Sequence, residues 1–539
     1  MPITHLTIQN FKGISDKVEI PLRPVTLLFG ANSAGKSTIF QALLYLRELL
    51  ERQNVDADRV SVGGEAVDLG GFRQFVHNHD LTKSVRIGVT FKLDDDGLPD
   101  YRTHGERPED SEAIGSPLDA AKEVTLRIVV EWSHERKRPF ITQYGILLDT
   151  VPFGAIRAEP GTPAQLDLLN VQHPLLLTEE GDEVGDRVSW PFTKHFFLKG
   201  LLEHDTAEKE EESENAEPDG LEQKLLLGNR IVPEFGRRLP NNWLLEPEVE
   251  EEGGDAEFVL DVLSQAFVGT GELILEELKQ LRYMGPMRAV PRRDFQAVRS
   301  PAENRWADGS AAWDLLFGEE ERDWVDLEGI NALGLGYGME VERYYEVNAE
   351  SAIAGFLMRS LEDEEILLSE LESHAVQREV RAFREKTRIR LTSKESNMPV
   401  EPFDVGIGVS QVLPVAIGAM APGYRVFCVE QPELHVHPAV QCALGDLLAR
   451  QALKNPDRTL LIETHSEHLM LRLLRRVRET AADELPPGAP KVRPDDLAVL
   501  YLTKTETGLE ITEIPVNEEG DFDRQWPKGF FEERAEELF

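Results

Sequence analysis

The first fifty residues alternate and cluster in a way that sets out strand, strand, loop and helix. "ITHLTIQNF" alternates apolar and polar positions, "VTLLF" is a continuous apolar run, and "STIFQALLYLRELL" repeats its apolar residues at helical spacing. From Ser84 to Thr150, "VRIGVTF", "VTLRIVVEW" and "ITQYGILLDT" have the alternation and β-branched content of antiparallel strands, a β-rich lobe expected to cover the first helix. From Glu319 to about Lys386 the pattern is mainly helical, with an apolar stripe and many charges, and predicts a helical arm or a short coiled-coil hairpin. The chain then returns to α/β alternation: strand "YRVFCVE", helix "HPAVQCALGDLLARQAL", strand "RTLLIET", helix "SEHLMLRLLRRVRE", strand "LAVLYLT". No internal repeat interrupts this order.

Charge changes the picture in two places. "EKEEESENAEPDG" (Glu208 to Gly220) and "EPEVEEEGGDAE" (Glu246 to Glu257) hold too few apolar residues to build a core and read as solvated loops within an insertion. With 58 Lys+Arg against 98 Asp+Glu, the net charge of −40 excludes indiscriminate wrapping of nucleic acid, so any DNA contact needs a local basic patch. Two candidates exist, Arg282 to Arg299 and Arg472 to Arg478. Only two cysteines occur, Cys428 and Cys442, which leaves no disulfide framework or zinc cluster. With no signal-like N-terminus and no long apolar run, a cytoplasmic protein without membrane contact is expected.

The chemistry begins at "GANSAGKS", Gly30 to Ser37, which matches the phosphate-loop pattern G-x-x-x-x-G-K-[ST] between an apolar strand and an amphipathic helix. Its glycines let the backbone curl so that N–H groups of Gly30, Asn32, Ser33, Ala34, Gly35 and Thr38 face phosphates, with the helix N-terminus adding a favourable dipole. Lys36 is expected to reach the β- and γ-phosphates of ATP, and the Ser37 hydroxyl to ligate Mg²⁺.

A phosphate loop alone does not choose among kinases, GTPases and ATPases. "YRVFCVEQPELHVHP" resembles the ABC-type Walker B strand and D-loop, in the E-x-P-E-x-x-x-H-P form of the OLD and RecF-like ATPases. That resemblance implies that Glu430 is the Mg²⁺-coordinating carboxylate and that Gln431 falls where most ABC enzymes carry the catalytic glutamate. Either Glu433 takes over as base, or His465 and Gln431 orient the water. His465, in "TLLIETHSEHL", is by the same resemblance the switch histidine at the γ-phosphate. "DVGIGVSQVLPVAIGA" resembles a degenerate ABC signature, in which Gly408, Ser410 and Gln411 cap the nucleotide of a partner subunit.

Two further positions follow from the family likeness. Lys12, in "NFKG", corresponds to a basic residue near the adenine and phosphates, and Gln74 to the Q-loop glutamine that senses Mg²⁺, with His77 and Asn78 as competitors. "RYMGPMRAVPRR" and "WPKGFFEERAEELF" are similar to segments of a prokaryotic AAA-type subfamily with a short C-terminal domain, whose members include ATPase subunits of anti-phage systems. Many OLD proteins continue into a Toprim nuclease domain; the stretch after His465 is expected to hold none, so nuclease action would come from a separate partner.

The expected fold class is α/β: an ABC-type ATPase head with mixed and antiparallel sheets plus a helical and acidic insertion. Its parts are an N-terminal ATPase lobe over 1–200, the acidic insertion over 201–270, a mainly helical arm over 271–390 and a C-terminal lobe over 391–539. The function implied is slow, ATP-driven switching of homo-oligomer assembly and of a separately encoded effector such as a nuclease, in defence against foreign DNA, with direct DNA contact possible. The alternatives are a RecF- or SMC-like repair ATPase and a nucleotide-bound scaffold with negligible turnover.

Overall fold

A computed structural model describes residues 3–65, 67–101, 116–170, 173–176, 225–228, 230–240, 260–293, 295–318, 324–362, 370–382, 386–505, 508–524 and 526. Both acidic runs lie outside these residues, as does nearly all of the last segment. Along the chain come β1 (Ile3–Gln9), β2 (Val18–Pro21), β3 (Val25–Gly30) and α1 (Lys36–Arg52). Then follow β4 (Val85–Lys92), β5 (Glu123–Ser133), β6 (Arg138–Leu148), β7 (Val151–Arg157), β8 (Ala164–Leu169) and β9 (Leu225–Gly228). The middle contains α2 (Thr270–Lys279), β10 (Leu281–Met284), α3 (Ser310–Phe317), β11 (Tyr337–Tyr344), α4 (Ala352–Glu362), α5 (Glu370–Ala382), β12 (Lys386–Ser393) and β13 (Pro399–Val400). The last part comprises α6 (Ile407–Met420), β14 (Val426–Glu430), α7 (Pro438–Lys454), β15 (Thr459–Glu463), α8 (Glu467–Ala481), β16 (Leu497–Lys504) and β17 (Leu509–Glu513).

Two large sheets organise the molecule. One is antiparallel in its pairings, ordered β2-β1-β4-β5-β6-β7-β8-β9, and the other runs β10-β14-β15-β3-β16-β17, parallel except for the β16–β17 hairpin. Every residue of β3, β14 and β15 is buried, as expected for central parallel strands covered on both faces, and this is why they read as unbroken apolar runs. Their side chains nevertheless alternate between two cores. Leu28, Val426, Cys428 and Leu461 face α1 and the antiparallel sheet, whereas Val25, Leu27, Phe29, Phe427, Val429 and Ile462 face α6, α7 and α8. The architecture is thus mixed α/β with antiparallel and mixed sheets.

The region expected to be a helical arm differs in two ways. β10 leaves it to form the edge of the parallel sheet, and β11 pairs antiparallel with β12, which pairs with β13 to make a third sheet. "YGMEVERY" has the period of a strand, and pairing with "KTRIRLTS" overrides the surrounding helical charge pattern. Among the described residues no helix is long and apolar enough to cross a membrane.

Candidate nucleotide site

β3 ends at Gly30, whose φ of 147° and closeness to β16 exclude a side chain: a Cβ there would lie 2.5 Å from the Leu502 carbonyl oxygen. The loop then turns through left-handed Ser33 (φ 64°) and Gly35 (φ 94°) into α1, with Ala34 N–H donating to Ala31 O at 3.1 Å. Asn32 and Ser33 are exposed at its lip. Lys36 is only 4% exposed and donates to the carbonyls of Gly30 (3.0 Å) and Ala31 (3.1 Å). Burial lowers its pKa, while the nearby Glu463, Glu433 and Glu430 oppose that shift.

The Ser37 hydroxyl sits between two carboxylates, 3.0 Å from Glu430 Oε2 and 2.9 Å from Glu463 Oε2. Glu430 ends β14 and Glu463 ends β15, and the parallel register sets them side by side. Tyr283, on β10, donates its hydroxyl to Glu430 Oε1 at 2.8 Å. Burial pushes both acids upward, Glu463 to about 7, where the neighbouring Glu430 adds to the rise. A single hydroxyl proton cannot satisfy two carboxylates at once. An all-oxygen set of two crowded carboxylates and a hydroxyl fits a hard divalent cation such as Mg²⁺, which relies on few protein ligands beside phosphate and water. Glu463 escaped the sequence reading, although an acidic residue ending the apolar run before "THS" was its visible signal.

Beyond Glu430 the chain turns sharply. Gln431 adopts a left-handed backbone (φ 45°) and donates its N–H to Glu463 O at 2.7 Å. Glu433 accepts the His465 backbone N–H at 2.7 Å, and burial raises its pKa. His465 is half-buried at the end of β15, and burial together with the charge of Lys36 lowers its pKa, favouring the neutral ring. The fold therefore assembles Lys36, Ser37, Glu430, Gln431, Glu433, Glu463 and His465 at adjoining ends of β3, β14 and β15.

The signature-like stretch forms the start of a helix packed against the strap that carries Arg288. α6 starts at Ile407, so Ser410 and Gln411 lie within its first turns and on its buried side. Ser410 Oγ donates to Ile407 O at 2.8 Å. The Gln411 amide is used twice, donating to Arg288 O (2.9 Å) and accepting Arg288 N–H (3.2 Å). Gly408 is half-buried, with its Cβ position 2.9 Å from His435 O, and Gly406 and Ile407 form the exposed start.

Lys12 has a left-handed backbone (φ 50°) and, with Leu69, Gln74, Val76, Asn78 and His79, lines a surface cavity of about 510 Å³. Gln74 is exposed there, while the oxygens beside Ser37 come from Glu430 and Glu463. Of its competitors, His77 is buried and its Nδ1 bonds Lys12 O at 2.9 Å, and Asn78 is exposed. The two basic clusters are also less open than their sequence suggests. Arg282 is buried, stacked over Trp306 (3.9 Å) and Tyr424 (4.6 Å), and donates to the carbonyls of Gly418, Ala421 and Pro422; Arg288 is buried as well. Arg472 and Arg476 bind Asp446, and Arg475 and Arg476 bind Glu479.

Comparison with known proteins gives the class. Residues 1–225 match the family described as AAA ATPase domain, and residues 320–471 that described as AAA domain, putative AbiEii toxin, Type IV TA system. Two stretches of the chain, 1–225 and 320–471, are thus similar to AAA-type ATPase domains. Residues 492–539 match the family called Protein of unknown function (DUF3696). The chain is 30% identical over 94 residues to the DNA replication and repair protein RecF of Lactobacillus acidophilus, a match covering 17% of this chain and 24% of that protein. It thus spans about a quarter of that curated relative. Similar solved structures include an SMC head bound to the C-winged helix domain of ScpA (12% identity, 96% and 98% of the two chains, TM-score 0.38). Another is the SMC head domain from Thermotoga maritima (8% identity, 96% and 100%, TM-score 0.34).

Proposed function

We propose that this chain binds ATP with Mg²⁺ on the Gly30–Thr38 loop and hydrolyses it slowly to switch its association with a second copy and with a separately encoded effector. The observation that carries this reading is the Ser37 hydroxyl held between Glu430 and Glu463 at 3.0 and 2.9 Å, beside the buried Lys36 ammonium. Ser37, Glu430 and Glu463 would hold Mg²⁺, which when bound offsets phosphate charge. Lys36 exchanges its two loop carbonyls for β/γ-phosphate oxygens. Glutamine at 431 orients water without accepting its proton, and Glu433 is engaged by His465 N–H, so turnover is slow.

In this reading the effector is a nuclease or similar partner, and the setting is cytoplasmic defence against phage or other foreign DNA; the toxin–antitoxin wording of one matching family is in keeping with it. A second reading, repair or chromosome maintenance, is favoured by the RecF match. Salt-sensitive DNA binding separates the two, and the pairing of Arg472, Arg475 and Arg476 with acids counts against a strong patch.

The test combines titration of a fluorescent ATP analogue with sedimentation velocity, with and without Mg²⁺. The expected outcome is Mg²⁺-enhanced binding and ATP-dependent association in the wild type. Lys36→Ala should lose about 100-fold in affinity, since a charge-assisted phosphate contact contributes roughly 1.5–3 kcal/mol and Lys36 makes more than one. Undiminished affinity in that variant would remove the assignment.

A further inference from the structure

Arg288 lies four residues beyond β10, in "YMGPMRAVP", and is only 4% exposed. Its guanidinium donates to two main-chain carbonyls, Gln431 O at 2.9 Å and Glu430 O. These carbonyls stand where β14 gives way to the left-handed Gln431 and the regular ladder ends; Gln431 O also accepts the Leu434 N–H at 3.2 Å, so Arg288 joins the end of the strand to the turn that follows it. The backbone of the same residue is clasped by the Gln411 amide from α6. Its surroundings are pinned too: Gly285 N–H bonds Ala307 O at 2.8 Å, Ala289 N–H bonds Asp308 O at 2.8 Å, and Trp313 Nε1 bonds Ala289 O at 3.1 Å. At Gly309 (φ 76°) a Cβ would lie 2.9 Å from Pro414 of α6 and 3.2 Å from the Arg288 side chain, so the α3 start closes over this strap.

We infer that Arg288 is a positioning residue for ATP turnover, fixing the Glu430–Gln431 carbonyls and with them the turn that aims Gln431 and Glu433, while Gln411 ties the same strap to α6. This rests on the ATPase reading above. A planar, rigid fork serves both carbonyls at once in a fixed geometry, which an ammonium on a flexible stem holds less firmly. Burial lowers the Arg288 pKa only to about 10, so it remains a cation at neutral pH, balancing the acids around Ser37. Among the described residues the Arg288 guanidinium bonds the Glu430 and Gln431 carbonyls and not the loop Gly30–Thr38, so its loss bears on the turn and not on phosphate capture.

Arg288→Met, Arg288→Lys and Gln411→Leu should be compared with the wild type in nucleotide Kd, kcat, melting temperature and amide hydrogen exchange of residues 430–437 without nucleotide. Expected for Arg288→Met is a kcat lowered about tenfold or more, the scale on which misplacement of a reacting group acts, with Kd within about threefold and faster exchange in 430–437. Arg288→Lys should fall between it and the wild type, and Gln411→Leu should shift exchange in the same direction. Unchanged kcat and exchange in folded variants would overturn the inference, and so would Kd, kcat and melting temperature falling in step. Should Arg288→Met not fold, Arg288→Lys and Gln411→Leu carry the comparison. A wild type that fails to bind ATP would defeat the functional reading, whereas exchange in 430–437 still decides whether Arg288 holds the turn.

Discussion

Two stretches of this chain, Gly30–Ser37 and Gly408–Gln411, pair glycine with serine at the beginning of a helix, and they end in opposite environments. At the first, the loop stays open: Asn32 and Ser33 are exposed and Ser37 reaches two carboxylates from strands far along the chain. At the second, Ser410 bonds back to its own helix and Gln411 is spent on the backbone of Arg288. The difference lies in where each helix starts. α1 begins after the left-handed Gly35, which leaves the loop's N–H groups outside the helix, whereas α6 begins at Ile407 and takes the serine into its buried side. The same residue types at a helix start thus end either facing a group of carboxylates or folded back onto their own helix, according to where the helix begins.

The sharpest way to probe the contrast is the turn beside both stretches. Gln431→Glu should raise kcat by about tenfold, toward the 10² to 10⁴ typical of a general base, while Glu433→Gln should change it only modestly. Steady-state ATPase assays on the assembled oligomer check this, and rapid wild-type turnover that collapses in Glu433→Gln would place the base at Glu433.

A smaller effect separates the two serines. Ser37→Ala should weaken Mg²⁺-dependent ATP affinity by about tenfold, roughly the 1.4 kcal/mol of one charge-assisted contact, whereas Ser410→Ala should leave affinity within about twofold. Isothermal titration with and without Mg²⁺ measures both, and equal losses would erase the distinction drawn between the stretches.

The mildest test uses a buried acid remote from both. Glu277 on α2 is 1% exposed, and burial lifts its pKa to about 7 against the opposing ion pair with Arg425 at 3.0 Å. Between about pH 4.5 and 7 the folded chain therefore retains a proton that the unfolded chain has released, so this group's contribution to stability declines as pH rises through that window. The change in unfolding free energy between pH 5 and pH 8, measured by urea denaturation, should be smaller in Glu277→Gln than in the wild type, by an amount on the order of 1 kcal/mol. An identical pH dependence in the two proteins would show that Glu277 does not carry it.

The phosphate loop was legible because its glycine spacing, lysine and serine are local, and strand and helix flank it within a few residues. Glu430 was legible as the end of an apolar strand. Glu463 was not, because its meaning arises from the register that sets β15 beside β14, a pairing no spacing announces. Arg282 and Arg288 read as a surface patch because their partners, main-chain carbonyls of 418–422 and 430–431, are far away in sequence. The strand β11 was hidden by its setting among helices, and only pairing with β12 explains it.

The place of β3 in the central sheet carries a consequence for how the molecule comes into being. The strand that leads into the phosphate loop is hydrogen-bonded on one side to β15 and on the other to β16. A growing chain has made residues 25–30 long before residues 459–463 and 497–502 leave the ribosome, so for most of synthesis this largely apolar strand has neither neighbour. Strands β5, β6 and β7 are joined by short connections and pair with their sequence neighbours, whereas seating β3 between β15 and β16 brings together distant parts of the chain and waits on loop closure. A translation arrest before β16 would leave one edge of β3 without its neighbour, an unpaired strand edge of the kind that invites aggregation.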